Sequence, residues 1–230
     1  MDLSVIYEDN HLLVVDKPAG LLAQGDHSGD TTLVDVAGAY LKEKFDKPGN
    51  VYVGLVHRLD RNVSGVNVLA RTSKAAARLS TQFREGTVRK GYLAVVAGVP
   101  DPTSGSLTSW LAAGGDHRGV TRAAAAPFSG ARESHLRYTV AESRGGYSVV
   151  SIEPVTGRRH QIRAQMALLG CPLVGDVKYG SLWRLPDHRL ALHASKLEIS
   201  HPVGGRALEF LSPLPPDWPW PDPTFRGSRA

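Results

Sequence analysis

The alternation of apolar and polar positions in the first hundred residues predicts short strands separated by two helices. Two apolar runs around a Glu-Asp-Asn turn predict a pair of strands over residues 3–16. An Asp-Thr-Thr run can cap a helix over residues 33–47. A β-branched run predicts a strand over residues 66–72, an apolar stripe predicts a helix over residues 73–86, and residues 91–99 predict a buried strand.

The second half of the chain is less regular. Residues 101–130 are rich in Gly, Ala, Ser and Thr, and they predict a long connection with one strand near Trp110. A helix is predicted from Arg158 to Leu169, closed by Gly170. The remaining apolar runs predict three strands, over residues 134–142, 147–155 and 190–199, the last of which is the final strand of the chain.

Strands outnumber helices in this pattern and do not alternate with them regularly. The pattern therefore predicts the α+β class, with a mixed, mainly antiparallel sheet and flanking helices. We expect a single domain over residues 1–218, followed by a tail, residues 219–230, that contains Pro and Trp.

Composition limits the class of protein further. The chain has 230 residues, a formal net charge of +5 and one cysteine, Cys171, which excludes an intramolecular disulfide and a Cys-based zinc cluster. A run of 18 apolar residues, which a membrane span would need, does not occur in the sequence. We therefore expect a cytoplasmic protein that does not enter a membrane.

The positive charge is concentrated in one segment. Between His57 and Lys90 the chain carries eight Arg and Lys residues but two acids, Asp60 and Glu85. A field concentrated in this way attracts phosphate groups and makes binding sensitive to salt. The alternative interpretation is a solvated basic face without a partner.

Common catalytic motifs are absent from the sequence. It contains no phosphate-binding GxxxxGK[ST] loop, no GxGxxG, no HExxH and no GxSxG. His57, His160 and His193 lie in the most distinctive segments, but they lack the i, i+4 helical spacing of a zinc site. We therefore predict no metal and treat these histidines as hydrogen-bonding groups.

Three stretches combine unusual polarity with glycine: HRLDRNVSG at 57–65, RKGYLAV at 89–95, and a long block at 154–180. Asp60 is a lone acid among basic residues in the first stretch. A buried carboxylate stays ionised when an arginine lies beside it, because the guanidinium lowers its pKa. Asp60 is therefore either a functional carboxylate or one that pairs with an arginine to hold a loop.

Taken together, these stretches resemble the RluA-type family of pseudouridine synthases. The family hallmark His-Arg-Leu-Asp-Arg, with Ser-Gly following, stands as HRLDRNVSG, and K-x-Y-x-A stands as KGYLA. A third family block is matched from TGRRHQIR to GDVKYG. The opening IYEDNHLLVVDKPAGLL and the late LALHASKLEISHP also look like family segments. Val63 replaces a usual threonine, and Gln165 replaces a histidine found in many members.

The resemblance implies a fold and an activity. The fold would be the family's catalytic domain, a bent sheet with flanking helices. The S4-type RNA-binding domain of many relatives is expected to be absent. The activity would be isomerisation of uridine in structured ribosomal or transfer RNA to pseudouridine, without a cofactor. We expect a monomer that needs no obligatory protein partner.

The resemblance also implies catalytic roles for three residues. Asp60 would be the nucleophile toward the sugar C1′ or the base that starts glycal formation. Arg163 would pair with the carboxylate. Tyr92 would stack on the uracil and assist loss of the C5 proton; the alternative is a core tyrosine with a satisfied hydroxyl.

Further residues are implied in binding and support. Arg58 would fill the space that a flipped uridine vacates or hold adjacent phosphates. Contacts with the RNA backbone would come from Arg61, Arg71, Lys74, Arg78, Lys90 and Arg158. Residues that orient the loop and the arginine-bearing helix, or pack beneath them, would be His57, Leu59, His160, Gln161 and Ile162.

Two other functions fit parts of the pattern. An RNA chaperone on the same fold would bind RNA without catalysis and would tolerate loss of Asp60. A nucleoside or glycoside hydrolase would use Asp60 at the same C1′ centre but would need a second carboxylate. The other two polar blocks contain no acid before Asp176.

Overall fold

A computed structural model describes residues 2–26, 29–114, 119–220 and 228–229. The chain divides into two compact units. The first consists of Met1–Lys90 and Ala194–Leu214, and the second of Gly91–His193 and Pro215–Ala230. The expected single domain over residues 1–218 stays a prediction.

Strands dominate the described part of the chain. The strands are β1 Ser4–Glu8, β2 Leu12–Lys17, β3 Gly54–Leu55, β4 Ser64–Ala70, β5 Arg89–Ala97, β6 Ser104–Ala113, β7 Thr121–Ala124, β8 Arg132–Arg144, β9 Tyr147–Pro154, β10 Trp183–Arg184, β11 Leu192–Ser200, β12 Ala207–Leu211 and β13 Ser228–Arg229. The α-helices are α1 Leu33–Lys44, α2 Ser73–Glu85 and α3 Gln161–Leu168. Short 3₁₀ turns span Val177–Tyr179 and Pro186–His188. The predicted α+β class is confirmed.

The first unit forms around β2 and β4. Its sheet has the order β1-β2-β4-β11, with β3 also paired to β4 and β12 to β11. The pairs β1–β2, β2–β4, β3–β4 and β11–β12 are antiparallel. One face of β2 and β4 packs against α1, and the core consists of Leu13, Val15, Leu21, Leu33, Ala37, Leu41 and Leu69.

Both helices of the first unit begin as the sequence predicts. Thr32 Oγ1 accepts the N–H of Asp35 at 3.2 Å, while Asp35 Oδ2 accepts the N–H of Thr32 at 2.9 Å, which completes a capping box for α1. Thr72 Oγ1 caps α2 by accepting the N–H of Ala75 at 3.1 Å. Gly86 ends α2 in the left-handed conformation, with φ 72°.

The second unit contains a run of strands in the order β5-β9-β8-β6-β7, with antiparallel pairing throughout this run. Its strands β10 and β13 form a separate antiparallel pair. Val95 of β5 packs with Val174, Leu185 and Ala191 in a separate core. The helix α3 contacts β6 and β7. No described helix is long and apolar enough to cross a membrane.

Three predictions of elements need correction. The described part of residues 101–130 contains two strands, β6 and β7, rather than one. Helix α3 begins at Gln161 rather than Arg158, because the preceding turn is held by side-chain hydrogen bonds. The strand β12 follows the one that was expected to be last. In the predicted tail, residues 221–227 and 230 lie outside the described residues.

A polar side chain is buried in the core of the first unit. Asn67 lies in β4 opposite Val15 and is 0% exposed. Neither its Oδ1 nor its Nδ2 has a hydrogen-bond partner among the described residues. A buried amide without partners destabilises a fold by about 1–3 kcal/mol.

We therefore expect Asn67→Leu, a change of similar volume, to raise the free energy of unfolding by about 1 kcal/mol. Asn67→Asp, which buries a carboxyl group at the same position, should lower it. Urea denaturation of the two variants and the wild type measures both effects. A less stable Asn67→Leu protein would show that the amide has a stabilising partner.

Candidate active site

The loop that carries Asp60 connects β3 to β4 in the first unit. His57 anchors its beginning: the ring Nε2 accepts the backbone N–H of Val68 in β4 at 3.0 Å. The same ring stacks on Phe83 of α2, with centroids 4.6 Å apart and planes 17° from parallel. Burial, and then the charge of Lys90, lowers the pKa of His57 to about 3. His57 is therefore a neutral ring that ties the loop to β4 and α2.

The other side of the loop is held at Arg61. The backbone N–H of Gly20 donates to the Arg61 carbonyl at 2.8 Å, and Arg61 Nε donates to the Gly20 carbonyl at 3.0 Å. The Arg61 guanidinium also forms a salt bridge with Asp30 at 2.8 Å. Within the loop, the N–H of Val63 donates to the Asp60 carbonyl at 3.1 Å, which closes a tight turn. Asp60 thus lies between two anchored residues.

A buried lysine completes this arrangement. Lys17, at the end of β2, is 0% exposed. Its Nζ donates to the carbonyls of Pro18 at 2.9 Å, Leu21 at 2.8 Å and Arg61 at 3.2 Å. Three acceptors match the three N–H bonds of an ammonium group. The lysine therefore joins the loop after β2 to the residue that directly follows Asp60.

Two opposing effects set the protonation of Lys17. Burial lowers its pKa from 10.5 to about 7, because desolvation disfavours the charged form. The negative charges of Asp60 and Asp16 oppose this shift.

A steric constraint explains why a glycine follows Ser64. Gly65 has φ +119°, a conformation that residues with a side chain rarely adopt. A Cβ there would lie 2.3 Å from the carbonyl oxygen of Ala194 in β11. The Ser-Gly pair of the HRLDRNVSG block thus allows β4 to pass close to β11 immediately after the loop.

The other two residues with predicted catalytic roles lie in the second unit. Tyr92 is in β5, opposite Ile152 of β9, and is partly buried. Arg163 is the third residue of α3 and is 7% exposed. Its Nε donates to Asp176 Oδ2 at 2.6 Å and its Nη2 to Asp176 Oδ1 at 2.8 Å. This bidentate pair compensates the buried guanidinium charge.

The turn before α3 brings together further predicted residues. Gln161 Oε1 accepts the hydroxyl of Thr156 at 2.8 Å and the N–H of Arg158 at 3.0 Å. Gln161 Nε2 donates to the carbonyl of His135 at 2.9 Å. Ile162 is buried next to it. Gln161 therefore fixes the TGRR turn and delays the start of the helix.

Some predicted RNA-binding arginines have partners inside the first unit. Arg71 Nη1 donates to Glu8 Oε1 at 3.0 Å and also to the Asp9 carbonyl. Arg78 Nη1 donates to the Pro202 carbonyl at 2.5 Å. These two guanidinium groups tie the β1–β2 and β11–β12 turns to α2 and its N-terminal cap, and RNA contacts for them stay predictions.

The remaining predicted RNA-binding residues differ in exposure. Arg58, Lys74 and Arg158 are exposed, and Leu59, beside Arg58, is buried. Lys90 is partly buried, and burial lowers its pKa. Arg58 and Lys74 are thus two exposed cations of the first unit that suit phosphate contacts.

Sequence reasoning missed two charged residues. Lys17 stands in the strand LLVVDK, and alternation places it on the same face as the core residues Leu13 and Val15. A lysine on an apolar face was the available signal. Asp176 lies in the block 154–180, but its pairing with Arg163 joins residues 13 positions apart. Among the described residues, no three His, Cys, Asp or Glu cluster as metal ligands would.

Sequence comparisons identify relatives over nearly the whole chain. The model of a family described as RNA pseudouridylate synthase matches residues 11–168. Ribosomal large subunit pseudouridine synthase D of Pseudomonas aeruginosa is 36% identical over 236 residues, covering 96% of this chain and 71% of the relative. An uncharacterized RNA pseudouridine synthase of Bacillus subtilis is 33% identical, covering 94% and 70%.

Solved structures agree with these relatives. Human RNA pseudouridylate synthase domain containing 4 matches with a TM-score of 0.77 and 25% identity, over 93% of this chain and 89% of that chain. Human RNA pseudouridylate synthase domain containing 1 matches with a TM-score of 0.74 and 26% identity, over 99% and 89%. The backbone is therefore shared over nearly the full length.

The lowered pKa of Lys17 predicts a specific pH dependence of stability. Between pH 7 and 10.5 the folded protein has lost the Lys17 proton while the unfolded chain keeps it. The free energy of unfolding should therefore rise with pH across this window, by about 1.4 kcal/mol per unit at most. Relative to Lys17→Met, wild type should gain roughly 3 kcal/mol between pH 7 and pH 9.5.

Urea denaturation at both pH values, with exposed Lys47→Met as the control, measures this difference. The control should follow the wild-type profile. Parallel profiles for wild type and Lys17→Met would mean that the three carbonyls keep Lys17 protonated throughout.

Proposed function

The chain belongs to the RNA pseudouridylate synthase family, a family of isomerases, and we propose that it converts specific uridines of ribosomal or transfer RNA to pseudouridine through Asp60. The membership confirms the resemblance that the sequence blocks indicate. The main support for the role of Asp60 is that its loop is anchored at His57 on one side and at Arg61 on the other. A carboxylate that must attack or deprotonate a sugar needs a fixed position.

The proposed reaction exchanges one glycosidic bond for another. The C1′–N1 bond breaks, the uracil rotates, and C1′ bonds to C5, which then loses its proton while N1 gains one. Asp60 would act as the nucleophile at C1′ or as the base that removes the C2′ proton. Both routes require an ionised carboxylate. No cofactor enters either route.

The roles of Tyr92 and Arg163 extend this proposal. Tyr92 would stack on the target uracil, with its hydroxyl assisting proton loss from C5. Arg163 would orient the reacting carboxylate. Support for both comes from the family blocks in which they stand and, for Arg163, from the buried ion pair that holds its side chain.

A uridine in a stem must leave the stack before its C1′ and C5 can react, at a cost of a few kcal/mol. Arg58 would support the flipped state, and Lys74 and the other exposed cations would contact the RNA backbone without reading sequence. The relative named ribosomal large subunit pseudouridine synthase D makes large-subunit ribosomal RNA the first target to test. We further propose that the protein acts in the cytoplasm as a monomer.

A hydrolase fits the charged residues less well. Glycosidases use two carboxylates, and the third block offers Asp176 as the second. Its side chain is 1% exposed and accepts two hydrogen bonds from Arg163. A carboxylate committed in this way is poorly placed to activate water or protonate a leaving group.

Asp60→Asn should reduce turnover of the target RNA by at least about a hundredfold, because the amide is neither a nucleophile nor a base. Release of tritium from C5 of labelled uridine measures turnover, and chromatography detects free uracil. Glu85→Gln, at the other acid of the basic segment, is the matched control and should retain activity. Retained turnover in Asp60→Asn contradicts the proposed role, and free uracil would indicate a hydrolase.

Lys74→Gln should weaken RNA binding at low salt and reduce the slope of log K against log salt by about 1. The reason is that Lys74 would release one counterion when it contacts a phosphate. Filter binding at several salt concentrations measures the slope, and Lys42→Gln, an exposed lysine of α1, is the control. An unchanged slope in Lys74→Gln would support the solvated-face interpretation.

A further inference from the structure

Arg163 is held by two side chains that the proposed function does not use. Asp176 accepts hydrogen bonds from Nε and Nη2, which fixes the direction of the guanidinium within its plane. The ring of Tyr179 lies against the guanidinium, with its centroid 5.0 Å from Cζ. The two contacts together restrict both translation and rotation of the charged group.

The Tyr179 ring is itself fixed through its hydroxyl. The backbone N–H of Thr121, the first residue of β7, donates to this oxygen at 2.7 Å. His160 Nδ1 lies 3.0 Å from the same oxygen. Burial raises the pKa of Tyr179, so the hydroxyl keeps its proton. The oxygen is thus held from an edge strand and from the residue before α3.

Thr121 makes a second contact with the start of α3. Its Oγ1 donates to the Arg159 carbonyl at 3.1 Å. The next residue, His160, has φ 53°, in the left-handed region that is unfavourable for a residue with a side chain. The Thr121 contacts and the Tyr179 hydroxyl therefore stabilise the strained backbone at His160. This backbone leads into the first turn of α3, which carries Arg163.

We propose that Tyr179 is a positioning residue: its ring sets the plane of the Arg163 guanidinium, and its hydroxyl ties that plane to β7 and to His160. This inference rests on the proposed role of Arg163 in the isomerisation. The alternative is that Tyr179 only fills the core of the second unit. The two interpretations differ because a filling residue affects stability, whereas a positioning residue affects the rate of the chemical step.

Two variants separate the ring from the hydroxyl. Tyr179→Phe keeps the ring and loses both hydroxyl contacts, whereas Tyr179→Leu loses the ring as well. We expect single-turnover rates on the target RNA to fall three- to tenfold in Tyr179→Phe and further in Tyr179→Leu. The RNA Kd should stay within twofold of the wild-type value, because Arg163 is proposed to act in the chemical step.

Tyr138→Phe is the matched control. Tyr138 is buried in the same unit, and its hydroxyl donates to the Pro102 carbonyl at 2.8 Å. Tyr138→Phe should lose about as much thermal stability as Tyr179→Phe, without any change in the single-turnover rate. Equal rate losses in Tyr138→Phe and Tyr179→Phe, or a loss confined to the Kd, would overturn the positioning role.

A second measurement does not depend on activity. In protein with ¹⁵N-labelled arginine, the Arg163 Nε–H signal is assigned by its absence in Arg163→Lys. Exchange of this proton with solvent should be slow in wild type and in Tyr138→Phe, and at least tenfold faster in Tyr179→Leu. Equal exchange in all three proteins would overturn the inference. If wild type isomerises no RNA while exchange still differs, the proposed function fails and the positioning of Arg163 by Tyr179 stands.

Discussion

The arrangement around Asp60 depends on one buried ammonium group. An ammonium without acceptors inside a protein costs several kcal/mol, so Lys17 is tolerated because the carbonyls of Pro18, Leu21 and Arg61 accept its hydrogen bonds. The chain after β2 and the chain after Asp60 are therefore bound to the same charge. Since Arg61 directly follows Asp60, the position of the carboxylate is set partly from the end of β2.

Lys17 and Arg163 are both buried, but their charges have different electrostatic effects. Lys17 is compensated by neutral carbonyls, so its positive charge keeps a long-range field. Arg163 is compensated by Asp176, and the field of a paired guanidinium and carboxylate falls off more steeply with distance. Lys17 therefore supplies a positive charge without a paired carboxylate hydrogen bond, whereas Arg163 supplies directional hydrogen bonds. Because the pKa of Lys17 is about 7, the positive charge of its side chain changes near neutral pH.

Regular periodicity was sufficient to predict α1, α2 and most strands, and the HRLDRNVSG block identified the loop around Asp60. The pattern failed in part of residues 101–130: the strand expected near Trp110 is β6, but β7, whose sequence TRAA shows no apolar alternation, was missed. The start of α3 was missed because Gln161 forms its hydrogen bonds through the side chain to a turn. The contact of Lys17 with the Arg61 carbonyl and the pairing of Asp176 with Arg163 were missed because tertiary folding brings these partners together, which local spacing does not encode.

The central claim is that this chain isomerises a defined uridine through Asp60. Carbodiimide-based pseudouridine mapping of ribosomal and transfer RNA tests it most directly, in cells with the gene, without it, and complemented by wild type or Asp60→Ala. The account predicts a site that disappears on deletion and returns only with wild type. A site that returns with Asp60→Ala, or no change at any uridine of these RNAs, would contradict it.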